Sequence, residues 1–273
     1  MDVCAKLRGL FHEKRIGHAG TLDPMATGVL PVFVGRATRA VEFASEGDKE
    51  YLAGLRLGTV TDTQDTSGRV LEEHPVSVTR EELEAALAPF RGEIQQLPPM
   101  YSAIKVNGKK LYELARKGRE VERKPRAITI HSLVVEGQES ATDFLIRVRC
   151  SKGTYVRTLC HDIGQTLGCG GTMYSLRRAM AAGFTLEDAL PLEQVLQAED
   201  PASLLLGVDA YFAGRPVLIL KPAAEKKVRN GMSLFLPETP DGEYRVYGAE
   251  GTFLALSRME RGRLTTIKSF FPV

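Results

Sequence analysis

Apolar residues recur along this chain with two periods, and each period predicts one kind of secondary structure. A spacing of three or four residues is typical of the buried face of a helix. This spacing occurs at 4–13, 83–90, 111–115, 156–167 and 187–197. Thr79 and Glu82 form a capping box ahead of the second segment. We expect Gly118 and Gly168 to end the third and fourth helices.

Alternation with a period of two predicts strands between these helices. The clearest segments are 49–57, 128–136 and 143–150. Beyond Gly214 the pattern changes to short strand-like segments separated by turns, at 217–220, 243–247, 252–256 and 264–270. Helices and strands therefore interleave in the first part of the chain, and the last part is expected to be rich in β-structure.

Composition narrows the class of protein without indicating its chemistry. The 273 residues are 43% hydrophobic and 26% charged, and the formal net charge is only +2. These values are typical of a globular chain with a substantial core, and they do not by themselves indicate a nucleic-acid binder. The four cysteines contain no C-x-x-C pair, so they predict neither a zinc site nor a disulfide framework. Because no apolar run reaches ~18 residues and no signal peptide is recognisable, we expect a reduced, cytoplasmic protein.

The stretch 17–31, GHAGTLDPMATGVLP, places one carboxylate, Asp23, in a loop with three glycines. Glycine permits positive φ and close approach of another molecule. Pro24 keeps Asp23 out of the helical region and fixes the next φ. An apolar segment at 29–34 follows and is expected to be strand-like. The alternative is that Asp23 is only a helix N-cap, because aspartate before proline is common at the start of a helix.

Five blocks of the sequence resemble the TruB type of tRNA pseudouridine synthase, in the order of that family. The first is G-H-x-G-x-L-D-P-x-A-x-G-x-L at 17–30, in which every fixed position is present. The others are D-K-x-Y at 48–51, P-x-x-Y-S-A-x-K at 98–105, K-G-x-Y-x-R at 152–157 and Leu-Arg-Arg at 176–178. Together they extend over most of the expected catalytic domain.

The resemblance implies roles in the conversion of uridine to pseudouridine. Asp23 would be the catalytic nucleophile, and Arg157 would pair with it and keep it charged. The position of Arg157 in the first turn of a predicted helix, where the helix dipole disfavours a cation, independently suggests an anionic partner. Tyr51 would lie against the uracil and help to remove its C5 proton, and Tyr155 and Leu176 would contact the uracil. Attack by Asp23 at C1′ of the sugar or at C6 of the uracil stays open.

Positive charge concentrates at 105–126, where nine Lys and Arg residues accompany three Glu residues. The segment matches an insertion that grips RNA in the family, and the alternative is an ordinary solvated helix face. We expect phosphate contacts from Lys105, Lys109, Lys110, Arg116, Lys117 and Arg119. Arg36 and Arg39 are either solvated charges or, as the resemblance suggests, phosphate contacts near the cleft. His18 would fill the gap that a flipped base leaves.

The resemblance also implies architecture and partners. Residues 1–214 would form an α+β catalytic domain, in which a mixed, largely antiparallel sheet and flanking helices form a cleft. Residues 215–273 would form a small PUA-like β-barrel that binds RNA. Family members usually open with an apolar strand and a Lys-Pro-x-Gly-x-Thr-Ser motif ahead of a stretch like Asp2-Val3, so we expect that strand to be absent here. The substrate would be the T-arm of tRNA at position 55, modified by a monomer without guide RNA, obligate protein partner, metal or cofactor.

Three other functions are compatible with parts of the pattern. A relative that uses guide RNA and protein partners would share the motifs, although the short C-terminal region favours the stand-alone type. A tRNA-binding or folding module would bind T-arm RNA and convert none. A carboxylate glycosidase would need a second acid at a defined distance. Asp62 and Asp65 are its candidates, but they lie in a turn-rich segment where solvated or capping side chains are expected.

Overall fold

The computed structural model describes residues 3–106 and 108–271, so Asp2 of the Asp2-Val3 stretch and Asn107 of the positively charged segment lie outside the described residues. The α-helices are α1 (Val3–Phe11), α2 (Val41–Glu46), α3 (Arg80–Ala86), α4 (Leu111–Ala115), α5 (Val156–Thr166), α6 (Leu192–Leu196) and α7 (Pro222–Arg229). Short 3-10 helices lie at Gly35–Ala40, Ala88–Phe90, Pro201–Leu204 and Val208–Phe212.

The strands are mostly short. They are β1 (Ile16–His18), β2 (Thr27–Gly28), β3 (Val32–Val34), β4 (Lys49–Leu57), β5 (Thr59–Thr61), β6 (Val70–Glu73), β7 (Gly92–Gln96), β8 (Lys105–Val106), β9 (Lys109–Lys110), β10 (Arg126–Gln138), β11 (Asp143–Cys150), β12 (Gly171–Ala181), β13 (Phe184–Thr185), β14 (Val217–Ile219), β15 (Leu234–Phe235), β16 (Gly242–Tyr247), β17 (Phe253–Glu260) and β18 (Arg263–Ser269). None of the described helices is long and apolar enough to cross a membrane.

The chain divides into two compact units. The first contains Met1–Gly20, Pro31–Ser45 and Leu190–Val273, and the second contains Thr21–Leu30 and Glu46–Ala189. These units are not the contiguous segments 1–214 and 215–273 that the sequence suggests. The catalytic domain at 1–214 and the C-terminal domain at 215–273 stay predictions.

The second unit is built on one sheet with the strand order β13-β12-β4-β11-β10-β7. Every pairing along this order is antiparallel, and β2 adds a parallel pairing to β12. Alternate residues of β4 and β11 point into a core that they share with α3 and α5. The core includes Ala53, Leu55, Leu57, Leu83, Phe144, Ile146, Leu159 and Ile163. The predicted α+β fold with a mixed, largely antiparallel sheet is therefore confirmed.

The first unit contains two smaller sheets. Strands β1 and β3 pair antiparallel, and Ile16 of β1 packs with Cys4 and Leu7 of α1. The last part of the chain forms a five-stranded sheet with the order β14-β16-β17-β18-β15, which has its own apolar core with α7. The β-rich C-terminal part is thus present, and its PUA-like character stays a prediction.

Several sequence expectations need correction at the level of single elements. The helix expected at 187–197 is only Leu192–Leu196, because Pro191 is its N-cap and the residue before a proline is disfavoured in the helical region. The strand expected at 29–34 is reduced to Val32–Val34. The sequence also gave no indication of several elements that the structure contains, among them β7, β12 and α7.

Candidate active site

The loop that carries Asp23 is attached to the sheet through Gly28. Strand β2 pairs with β12 so that Gly28 lies opposite Arg178, and the backbone nitrogen of Val29 donates to the Arg178 carbonyl over 2.9 Å. Gly28 has a φ of +102°, and a Cβ atom there would lie 2.2 Å from the same carbonyl oxygen. Only glycine permits both this conformation and this approach.

The side chain of Arg178 contacts backbone carbonyls at both ends of the loop. Its side chain is 1% exposed, Nε donates to the Val29 carbonyl over 2.7 Å, and Nη1 lies 3.5 Å from the Thr21 carbonyl. Between these ends, the backbone nitrogen of Ala26 donates to the Asp23 carbonyl over 2.9 Å and closes a turn with Pro24 at its second position. The residue at the corner of this turn is therefore held in one place.

The carboxylate of Asp23 contacts the guanidinium of Arg157. Arg157 Nε lies 2.9 Å from Oδ2, and Nη2 donates to Oδ1 over 3.3 Å. Arg157 is 6% exposed, whereas the Asp23 side chain is 32% exposed. A buried cation thus fixes a carboxylate that another molecule can still reach. The structure brings together the two residues for which the sequence suggests an ion pair.

Arg157 has a second carboxylate partner, Asp65. Nη1 lies 3.5 Å from Asp65 Oδ2, and Asp65 is itself held by Ser67, whose backbone nitrogen donates to Oδ1 over 3.0 Å and whose hydroxyl donates over 2.5 Å. Of the two alternatives expected at this position, a solvated or a capping side chain, the structure shows the capping one. Asp65 caps its turn, but it is 5% exposed and its second oxygen faces the arginine. Asp62 fits the expectation, because it is exposed and accepts from the Arg69 backbone nitrogen over 2.8 Å.

Two backbone carbonyls complete the shell around Arg157. Nη1 donates to Thr63 over 3.2 Å, and Nη2 donates to Tyr101 over 3.1 Å. The arginine occupies the first turn of α5, where the helix dipole disfavours positive charge. Two carboxylates and two carbonyls offset this cost, which is large for a buried cation without partners.

Tyr51 lies on β4 next to the strand that holds the loop. It is opposite Arg178 of β12 and packs partly against the core. Burial raises the pKa of the Tyr51 hydroxyl, and the charge of Asp23 raises it further, while Arg178 acts in the opposite direction. Tyr51 is therefore a neutral phenol at neutral pH, able to donate or accept one hydrogen bond.

Tyr155 is positioned through its backbone. It is the N-cap residue of α5, and the buried side chain of Gln96 binds both of its polar backbone groups. Gln96 Oε1 accepts from the Tyr155 nitrogen over 2.8 Å, and Nε2 donates to its carbonyl over 3.0 Å. Leu176 is 7% exposed and belongs to the core cluster against which Met25 and Ala26 of the loop pack.

Three of the predicted site residues belong to the first unit. His18 is on β1 opposite Val32, and its buried Nδ1 has no hydrogen-bond partner among the described residues. Arg36 donates to the Phe271 carbonyl over 2.6 Å, so one of its amino groups is already engaged. Arg39 is exposed in the same 3-10 helix.

The positively charged residues at 105–119, called here the basic segment, form a short hairpin and helix α4. Lys110 is half-buried, and the other predicted phosphate ligands are exposed: Lys105, Lys109, Arg116, Lys117 and Arg119. Arg123 lies outside this set. Its guanidinium is already hydrogen-bonded within the protein, since it donates to the Pro98 carbonyl and to Glu120.

Sequence reasoning missed three residues that build the site. Arg178 was visible only as part of a family block, not as the side chain that holds the loop. The residues around Asp65 are typical of a turn, and this pattern gives no indication of the contact with Arg157. Gln96 gives no signal in the sequence, because a glutamine at a strand end is normally exposed.

The set of polar side chains favours acid-base and nucleophilic chemistry. Groups of three or more metal-binding side chains are absent from the residues described. What the site offers is one reachable carboxylate, a buried guanidinium that holds it, and a neutral phenol nearby. Such a carboxylate can act as a nucleophile toward an electron-poor carbon.

Comparison with known proteins places this geometry in a family. The family model described as TruB family pseudouridylate synthase, N-terminal domain, matches residues 8–156, and the model of the tRNA pseudouridylate synthase B C-terminal domain matches residues 157–210. The tRNA pseudouridine synthase B of Clostridium kluyveri is 42% identical over 98% of this chain and 94% of its own length. That of Azoarcus sp. strain BH72 is 48% identical over 94% of this chain and 86% of its own.

A solved structure has the same fold. A chain in the crystal structure of a Cbf5-Nop10-Gar1 complex superposes with a TM-score of 0.74, at 25% identity, over 99% of this chain and 80% of that chain. The family models cover most of the residues that form the loop, the sheet and α5, and the relatives align over nearly the full length. The chain therefore belongs to the TruB family of pseudouridylate synthases.

Proposed function

We propose that this chain isomerises uridine to pseudouridine at position 55 in the T-loop of tRNA, with Asp23 as the nucleophile. The observation that carries the proposal is the pairing of a reachable carboxylate with a buried arginine. Arg157 holds the Asp23 carboxylate in one position, with Nε 2.9 Å from Oδ2 and Nη2 donating to Oδ1 over 3.3 Å. The names of the curated relatives support tRNA as the substrate.

The reaction needs a nucleophile, a group that accepts a proton and a pocket for the flipped nucleobase. The bond between C1′ and N1 breaks, a bond between C1′ and C5 forms, the C5 proton leaves to solvent, and N1 gains a proton. Asp23 attacks either C1′ or C6 of the flipped nucleoside, and Tyr51 assists removal of the C5 proton. No electrons are gained or lost overall, so the chemistry itself requires no redox cofactor.

Binding uses three further side chains and the basic segment. Tyr155 and Leu176 contact the uracil, and His18 fills the position that the flipped base vacates. Lys105, Lys109, Lys110, Arg116, Lys117 and Arg119 bind phosphates, together with Arg39 and the remaining donors of Arg36. The enzyme acts as a cytoplasmic monomer without guide RNA or an obligate protein partner.

The test is conversion of a T-arm stem-loop by the purified chain, followed by mapping of pseudouridine in the product. The expected result is one pseudouridine at the T-loop position, with no free uracil and no abasic site. A glycosidase would release uracil, and a binding module would retain the RNA unchanged. Either outcome, or conversion that depends on an added guide RNA, would overturn the proposal.

A further inference from the structure

Tyr112 of helix α4 carries two cations on its ring. Lys110 Nζ lies 5.3 Å from the ring centroid, and the guanidinium carbon of Arg116 lies 5.4 Å from it. Lys110 Nζ also donates a hydrogen bond to the Tyr112 hydroxyl oxygen over 3.3 Å. Both cations therefore share one aromatic partner.

Lys110 and Arg116 contact the ring of Tyr112, whereas other cationic side chains of this protein contact a carboxylate. Arg56, Arg147 and Arg229 each contact an acidic side chain. Within residues 3–106 and 108–271, neither Lys110 nor Arg116 takes part in an ion pair. The face of an aromatic ring attracts a cation without neutralising its charge. The positive charge of both side chains therefore stays available to an external anion.

The ring itself is held by the backbone. The Tyr112 nitrogen donates to the Ser102 carbonyl over 3.0 Å, and the Leu111 nitrogen donates to the Ile104 carbonyl over 2.8 Å. Leu111 is buried, and the Arg116 nitrogen donates to the Tyr112 carbonyl over 3.1 Å. Tyr112 is thus anchored at its base, while the two cations lie at the surface of the basic segment.

We propose that Tyr112 is a positioning residue that holds Lys110 and Arg116 as a preformed pair for the phosphates of the RNA backbone. Long, flexible cationic side chains lose rotamer freedom when they bind an anion, and a ring that restricts them beforehand lowers this cost. Arg116 supplies a planar fork of donors and Lys110 a compact charge. The inference rests on the proposed function, since it takes a tRNA stem-loop as the ligand.

The experiment compares Tyr112→Leu with Tyr112→Phe in binding to a T-arm stem-loop over a range of salt concentrations. Loss of the ring in Tyr112→Leu should weaken binding about three- to tenfold, because Lys110 and Arg116 regain rotamer freedom that binding must then remove. It should also flatten the dependence of log affinity on log salt, by up to about 1.5 if both phosphate contacts are lost. Tyr112→Phe keeps the ring and should stay within about twofold of the wild type.

Two controls separate positioning from a general structural effect. Tyr174 also carries an arginine on its ring, Arg56 at 5.3 Å, but that arginine is paired with Asp143. Tyr174→Leu should therefore leave the salt dependence unchanged. In a chain with Lys110→Ala and Arg116→Ala, adding Tyr112→Leu should weaken binding no further.

The outcomes distinguish a failure of the proposed role of Tyr112 from a failure of the proposed function. If the wild type converts the stem-loop and Tyr112→Leu keeps its affinity and salt dependence, the inference is overturned alone. An equal loss from Tyr112→Leu with and without the two cations would also overturn it. If the wild type binds but converts nothing, the proposed function fails, and the affinities still decide the role of Tyr112. A wild type that does not bind the stem-loop overturns both.

Discussion

Arg157 of the candidate active site and Arg116 of the basic segment differ in what holds each charge. Arg157 is buried between two carboxylates and two backbone carbonyls. Arg116 is exposed and lies over a tyrosine ring. A neutralised, buried cation fixes the groups around it, whereas an exposed cation without a carboxylate remains able to attract an anion. We therefore expect Arg157 to hold a reacting group in place and Arg116 to contact a polyanion.

The largest effect should follow removal of the buried cation. Arg157→Met leaves Asp65 buried without its cationic partner and Asp23 without its anchor. The free energy of unfolding should fall by about 3–5 kcal/mol, the usual cost of breaking a buried ion pair from one side. Urea denaturation measures the change.

A double variant and a surface control sharpen this expectation. Arg157→Met with Asp65→Asn should recover part of the loss, because the uncompensated charge is gone. Arg147→Met removes an arginine that contacts Glu50 and Glu136 on a half-exposed sheet face, and should cost only about 1 kcal/mol or less. Equal losses from Arg157→Met and Arg147→Met would contradict the comparison.

A smaller loss is expected where the loop meets the sheet. Gly28→Ala would place Cβ against the Arg178 carbonyl at a φ of +102°, and the free energy of unfolding should fall by about 2–3 kcal/mol. Gly17 belongs to the same signature, but its Cβ would meet only Val41 Cγ2 at 3.6 Å and Thr38 Cγ2 at 3.9 Å. Gly17→Ala is the matched control and should be nearly silent. Similar losses of stability at the two glycines would show that the close contact at Gly28 does not determine the conformation of the loop.

An effect confined to higher pH concerns a half-buried charge on the same helix as Arg157. Burial raises the pKa of the Asp162 carboxyl to about 6. The folded state then binds the proton more tightly than the unfolded state, so stability falls as pH rises from about 4 to 6 and stays reduced above that. Asp162→Asn should melt at a higher temperature than the wild type at pH 8, and the difference should vanish near pH 4. A difference that is independent of pH would contradict this assignment.

The sequence predicts best the elements whose burial follows one regular period. Strands β4 and β11 occupy the predicted residues 49–57 and 143–150, because one face of each packs on the core. The capping box of Thr79 and Glu82 is confirmed at α3. Gly168 follows α5 with a φ of +73°, as expected of a residue that ends a helix.

The missed strand β12 shows why the rest was not predictable. Register shifts between Met173 and Ser175, and between Arg178 and Met180, interrupt the alternation of its side chains. Buried Thr172 and Arg178 add polar residues where a core strand normally has apolar ones. The Asp65 contact is long-range, since its partner lies on a helix more than ninety residues later in the chain. Local pattern carries no information about such a contact.

Release of tritium from C5-labelled uridine in a T-arm stem-loop measures directly whether Asp23 performs the chemistry. Asp23→Asn keeps the size of the side chain and a capping oxygen but loses the charge and the nucleophile. Asp62→Asn is the matched control, because Asp62 is an exposed turn aspartate whose capping role asparagine can take over. We expect no release by Asp23→Asn, RNA affinity within a few-fold of the wild type, and near wild-type release by Asp62→Asn. Substantial release by Asp23→Asn would contradict the assignment of Asp23 as the nucleophile.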